Sequence, residues 1–245
     1  MKNEFRLKKT ENMWGMYIPS FDNTGIVRTG FSTRVGSVDK GDSSSTLTFC
    51  NGMGIYPEDI GFCAQIHGNR VVKWDSEDTR FADGIMTNKP KVALTTFYAD
   101  CVPLFFLDRR NNAIALSHSG WKGTVGNIAK NTLCAMKGAY GTRPEDCMVA
   151  IGPSIGRCCF EVDYPVAEAF HNAFSFAAEV IDKKDNGKYH IDLKLSNLLA
   201  LKEAGVPEDN IYTAKYCTKC NQDIFFSYRG ENGTKSRMAA VIMLL

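Results

Sequence analysis

The chain has 245 residues, 44% of them apolar and 23% charged, which is ordinary for a globular protein and long enough for a substantial core. Its 29 basic and 27 acidic residues leave a net charge of +2, so electrostatics make no case for nucleic acid or an anionic membrane as the main partner. No apolar run approaches the roughly 20 residues that span a bilayer. The N-terminus, MKNEFRLKKTEN, lacks the apolar stretch and small-residue cleavage site of a signal peptide, and cytoplasmic location is the default expectation.

Nine cysteines are an odd number, and their spacing resembles no compact disulfide framework. They are read as reduced thiols, most of them small buried apolar residues. Cys217 and Cys220 form a CxxC, but the second CxxC of a zinc ribbon is missing, so the pair is not assigned a metal.

In chain order, residues 26–33 have strand composition, and the polar run 36–46, GSVDKGDSSST, reads as a mobile surface loop. Residues 91–107 hold two β-rich pieces around Ala99–Asp100. Shorter strands are expected at 113–117 and 148–151, then at 211–217, 224–228 and 238–245. A first helix is predicted over 125–140, stopped by Gly141. A second starts at Pro165, with Val166, Ala169, Phe170, Ala173, Phe174 and Ala177 as its apolar face. A third is capped by Asp192 and ends at Gly205. Many strands and few helices without regular alternation indicate an α+β fold, and nothing divides the chain, so one domain over 1–245 is expected.

Among the four histidines, His67 in QIHGNR and His118 in LSHSGWKGT stand in glycine-flanked, motif-like surroundings, whereas His171 and His190 do not. His118 ends an apolar run, Cys101 sits at the break between the two β-rich pieces, and His67 sits at a Gly68–Asn69 turn. Each therefore lies at an element end, where a rigid scaffold places reactive side chains. Their separations of 34 and 17 residues contain no local ligand pair such as HExxH. Taken singly, a His at a turn is commonly a surface residue and a Cys among apolar neighbours is commonly core.

The ordered set QIHGNRVV, ADGIMT, YADCVPLFFLD, LSHSGWKGTVGNI, AIGPSIGRCCFEV and CTKC followed by FFSYRG resembles the family once called multicopper polyphenol oxidoreductase, the laccase-domain proteins, from about Gly30 to the end. The resemblance implies a mixed β-sandwich flanked by helices in α/β/β/α layers. It implies a purine nucleoside enzyme that phosphorolyses adenosine, inosine, guanosine and 5′-methylthioadenosine and deaminates adenosine. It also places the family's His–Cys–His zinc site on His67, Cys101 and His118. Ser37 stands where the family has a second glycine after its STR motif, and Tyr98 where a Thr is common. The passage SSSTLTFCNGMGIYPEDIGF before His67 is short where the family has an Asn–Leu pair and then a helix, which leaves the substrate wall there unspecified.

Two imidazoles and a thiolate give zinc three protein ligands and leave the fourth tetrahedral position for water or substrate. Such an ion lowers the pKa of water it holds, which deamination at C6 of adenine requires. Asp100, next to Cys101, is a candidate to orient a ligand or shuttle a proton, or simply to bond structurally. Phosphorolysis needs phosphate beside C1′ and a stabilised leaving base. Arg34 and Lys122 are the leading candidates for that charge, with Arg229 and Arg237 behind them; GWKGTVG at a helix start offers N–H groups to an anion.

Three alternatives stay open. One is a metal-free Cys–His hydrolase in peptidoglycan-precursor editing, with Cys101 as nucleophile and His118 or His67 as base. Another is a binding module stabilised by zinc. The third, a copper-dependent polyphenol oxidase, is disfavoured because four histidines without an HxH pair cannot furnish a mononuclear and a trinuclear copper centre.

Overall fold

The computed structural model describes residues 4–36 and 38–245; residues 1–3 of the N-terminal segment and Ser37, which follows the STR motif, lie outside the described residues. The strands in chain order are β1 (Arg6–Lys9), β2 (Trp14–Tyr17), β3 (Val27–Ser32), β4 (Asp59–Phe62), β5 (Val71–Lys73), β6 (Gly84–Thr87), β7 (Val92–Tyr98), β8 (Val102–Asp108), β9 (Ala113–Ser119), β10 (Cys147–Ile151), β11 (Glu161–Val162), β12 (Ile181–Lys183), β13 (Tyr189–Ile191), β14 (Ile211–Thr213) and β15 (Met238–Leu244). The helices are α1 (Pro19–Asp22), α2 (Ser43–Met53), α3 (Trp121–Val125), α4 (Ile128–Tyr140), α5 (Tyr164–Ala173), α6 (Ala177–Val180) and α7 (Leu193–Glu203).

Two six-stranded mixed sheets carry the fold, in the orders β1-β2-β3-β15-β7-β4 and β14-β10-β8-β9-β6-β5. Every residue of β7, β8, β9 and β15 is buried, the mark of strands covered on both faces. Alternation along each strand sorts the side chains into layers. Phe105, Leu107, Ile114 and Leu116 meet Phe31, Leu94, Ala240 and Ile242 between the sheets. Leu104, Phe106, Val149 and Ile151 face outward onto Leu133 and Met136 of α4, Phe170 of α5 and Leu201 of α7. On the opposite outer face, Ala93, Phe97, Val241 and Met243 are covered by Phe49, Cys50 and Met53 of α2. The layers therefore run helix, sheet, sheet, helix, as the resemblance implied.

Five local expectations are corrected. Residues 43–46, read as loop, open α2, whose N-cap Asp42 accepts hydrogen bonds from the Ser44 and Ser45 N–H groups and whose C-cap Gly54 has φ 81°. Close approach to β3 needs a glycine there, since a Cβ on Gly30 would lie 3.0 Å from the Phe49 ring. The expected strand at 224–228 is instead turn-rich, with the Ile224 and Phe225 N–H groups both bonded to Asn221 O. Phe225 is buried against Phe31 and Tyr216 without a ladder. The helix predicted over 125–140 divides into α3 and α4, separated by Asn127 at φ 54°. The second helix stops at Ala173; Phe174 is its extended C-cap and Ala177 opens α6. β14 ends at Thr213, short of the expected Cys217.

No helix among the described residues is long and apolar enough to cross a membrane.

Candidate metal centre and cavity

The chain passes from one sheet to the other at two neighbouring places. After β7 it turns through Ala99–Asp100, with Asp100 at φ 88°, and enters β8 of the second sheet. After β4 it turns through Gln65 and His67, at φ 57° and 64°, before β5. Left-handed non-glycine residues are costly and persist only where surrounding contacts fix them. Here they are fixed. The Gln65 amide donates to Phe97 O at 2.7 Å and accepts from Phe97 N–H at 2.8 Å. Cys101 follows the first crossing, His67 lies in the second, and His118 lies near the end of β9, opposite Pro103 of β8.

These three residues converge. Their ligand atoms lie within 4.8 Å of one another, and the two imidazoles are 5.0 Å apart at 83°. His118 is buried, Cys101 half-buried and His67 exposed, so the cluster opens on one side.

Asp83, which the sequence reading passed over inside ADGIMT, organises the cluster from beneath. It is fully buried. One oxygen accepts from His67 N–H at 2.9 Å and faces His118 Nδ1 at 2.9 Å. The other accepts from Gly68 N–H at 2.7 Å and Ile66 N–H at 3.1 Å. Burial alone would raise its pKa, but the bonds from His118, Gly68 and His67 outweigh burial and hold the carboxyl below the ordinary carboxylate value. A carboxylate on Nδ1 fixes the ring and leaves Nε2 for the cluster centre, the usual support of a metal-binding histidine. Without a metal, burial opposes ionisation of Cys101, yet His118 and His67 pull its pKa down to about 6. Burial likewise disfavours the His118 imidazolium, while Cys101 and Asp83 raise its pKa to about 9.

Space for an ion comes from Gly120. A Cβ built there would stand 3.1 Å from His67 Cδ2, 3.2 Å from Cys101 Sγ and 3.8 Å from His118 Cε1. A half-buried thiol of lowered pKa, two convergent imidazoles and an open fourth side fit a divalent ion. The turn bearing Gly120 is held by a buried network in which Ser119 Oγ lies 2.9 Å from Thr124 Oγ1 and donates to Asn197 Oδ1 at 3.0 Å.

The cluster forms the floor of a cavity of about 430 Å³. Its walls include Phe97, Trp121, Phe160 and Tyr228, and its basic residues are Lys40, Arg229 and Arg237. Arg229 is tied to Glu161 O at 2.8 Å and lies over the Phe160 ring. Lys40 donates to Ala64 O and has no motif around it that singles it out in the sequence. Arg34 does not line the cavity: it pairs with Glu231 at 2.7 Å. Lys122 does not line it either, being exposed on α3 beside the Trp121 ring. Asp100 does line it, but its oxygens accept from Thr218 Oγ1 at 2.6 Å and Arg229 N–H at 2.7 Å, so its bonding is structural.

Comparison with known proteins agrees with this architecture. Residues 30–245 match the family model described as multi-copper polyphenol oxidoreductase laccase, and the chain belongs to that family. The purine nucleoside phosphorylase YlmD of Geobacillus stearothermophilus is 36% identical over 74% of this chain and 70% of its own length. A purine nucleoside phosphorylase of Staphylococcus epidermidis is 33% identical over 99% of both chains. The crystal structure of YlmD from Geobacillus stearothermophilus superposes with a TM-score of 0.85 at 28% identity, over 97% of this chain and 98% of that one. That of the Bacillus licheniformis hypothetical protein YfiH gives 0.87 at 27%, over 99% and 100%.

Proposed function

We propose that this chain is a cytoplasmic, zinc-dependent purine nucleoside enzyme. It phosphorolyses adenosine, and also inosine, guanosine and 5′-methylthioadenosine, to free base and pentose 1-phosphate, and it deaminates adenosine. The observation that carries this reading is the convergence of His67, Cys101 and His118 on the floor of a cavity walled by aromatic rings. The relatives named purine nucleoside phosphorylase support the substrate class.

The cavity suits a nucleoside in size and lining: small-molecule sites are about 300–1,000 Å³ and mostly apolar with a few convergent polar groups. A purine presents two flat faces to Phe97, Trp121, Phe160 or Tyr228. In phosphorolysis a phosphate oxygen bonds to C1′ while the electron pair of the C1′–N bond leaves with the base. Both the phosphate and the departing purine are anionic in character, and Lys40, Arg229 and Arg237 supply fixed positive charge on the same cavity. His67, Cys101 and His118 would hold the zinc, which would supply Lewis acidity when bound. Asp83 keeps His118 in one tautomer throughout.

A second reading rests on the Cys101, His118 and Asp83 order of nucleophile, base and orienting carboxylate, which suits a metal-free hydrolase such as one editing peptidoglycan precursors. It leaves His67 without a task, although that ring also faces the Cys101 sulfur. Chain-wide, four histidines are too few for a multicopper oxidase. A purely structural metal site would be closed by four protein ligands.

The test is chromatography of adenosine incubated with the protein, with and without phosphate. Adenine that appears only with phosphate is the expected result. Neither adenine nor inosine under either condition would remove the nucleoside reading.

A further inference from the structure

The CxxC that sequence reading left without partners acquires them in the fold. Cys158 and Cys159, in the turn after β10, meet Cys217 and Cys220, and all four sulfurs lie within 4.8 Å of one another. Cys159 Sγ is 3.4 Å and Cys158 Sγ 3.6 Å from Cys220 Sγ. Four thiolates at ~2.3 Å around a tetrahedral zinc stand about 3.8 Å apart, whereas disulfide sulfurs stand about 2.05 Å apart. The observed spacing is close to the first and far from the second. Gly156 N–H donates to Cys217 Sγ at 3.2 Å, a backbone bond to sulfur of the kind that supports a thiolate ligand. Lys194, which donates to Ala214 O and Tyr216 O, lines the same pocket as Cys158 and Cys217. Cys158 and Cys220 are exposed, so an ion can reach the site.

We propose that Cys158, Cys159, Cys217 and Cys220 bind a second zinc ion in a closed, structural site that staples together two loops of the nucleoside cavity. On binding, four Zn–S bonds form and the four thiol protons pass to solvent. Four protein ligands leave no position open for chemistry, in contrast to the three at His67.

The position of the cluster says what the staple holds. Between β14 and β15, residues 214–237 contain no helix or strand among the described residues. A stretch of that length in a compact fold needs tying down. Inside the CxxC, Thr218 Oγ1 donates to Asp100 Oδ1, and farther along Arg229 N–H donates to Asp100 Oδ2. From the other loop, Ile155 N–H donates to Asp100 O at 2.9 Å. Both stapled loops thus close on the left-handed residue that precedes Cys101, and they deliver Phe160 and Arg229 to the cavity wall.

The test is zinc content of the purified, untagged protein by plasma mass spectrometry. About two zinc ions per chain are expected in the native protein and about one in Cys101→Ala, released when that variant is titrated with an organomercurial. Cys158→Ser with Cys220→Ser should lose one zinc, keep the other and melt several degrees lower. A native chain with a single zinc that vanishes in Cys101→Ala would overturn the proposal. So would four thiols that react freely with Ellman's reagent in the native chain, or a mass deficit of two hydrogens marking a disulfide among them. The native count needs no variant to fold, and none of these readings depends on nucleoside turnover.

Discussion

A carboxylate removed from water needs several hydrogen bonds to stay ionised, and Asp83 has them from three backbone N–H groups and an imidazole. The same bonds set the His67 turn and the His118 ring at once, so one side chain couples two candidate ligands. Asp83→Asn leaves one oxygen in place of two. It is expected to weaken zinc affinity by about 10–100-fold in a competitive chelator titration and to lower the melting temperature, because buried donors lose their acceptor. Cys101 offers a separate check. In protein stripped of metal its thiol is expected to titrate at about 6 rather than the ordinary 9.0, because His118 and His67 favour the thiolate. Below pH 6 the protonated thiol should alkylate slowly, and by pH 7 the iodoacetamide rate should be near its plateau, as read by peptide mass spectrometry. Zinc should protect it. Cys50, Cys63 and Cys147, pushed up to about 12 by burial, should stay unreacted over the same range.

At the scale of single elements, the turn from β9 into α3 carries the geometry of the ligand pocket. Gly120→Ala points a methyl group at His67 and Cys101. It should abolish zinc binding at that site, seen as lost metal content, while far-UV circular dichroism stays native. Gly138 in α4 has open space around the position of a Cβ, so Gly138→Ala should stabilise the fold by about 0.5–1 kcal/mol in denaturant titration, without effect on metal. The seven-residue buried strands and the Asp192-capped α7 were legible because periodicity and capping act locally. Helix α2 was not, although Thr46, Phe49, Cys50 and Met53 have helical spacing. Its serines and threonines favour caps and turns, and only packing on the outer sheet face makes the helix. At 224–228 the error ran the other way: β-rich composition reflected burial of Phe225 rather than pairing.

Over the whole molecule, the site exists because the chain crosses between two sheets at adjacent points, bringing together residues separated by 34 and 17 positions. Nothing in that spacing encodes proximity. The ordered motifs carried it, and they also held Asp83 in ADGIMT, immediately before β6, where an Asp–Gly pair could have marked a buried turn acceptor. The basic residues were the least legible, since a charge at the rim is recognised only when walls are known: Arg34 is spent on Glu231, whereas Arg229 and Arg237 reach the cavity. The Cys158–Cys220 group was invisible for the same reason, with its two halves about 60 residues apart and joined only by folding. Under the proposed function, phosphorolysis of a purine nucleoside depends on zinc at His67, Cys101 and His118. That dependence is measured by phosphate-dependent adenine release from adenosine, followed in native protein, in chelator-stripped protein and after zinc is restored. Loss on stripping and recovery with zinc, absent in His118→Ala, is the predicted result. Undiminished release from fully metal-free protein, or no release from the native chain, would contradict it.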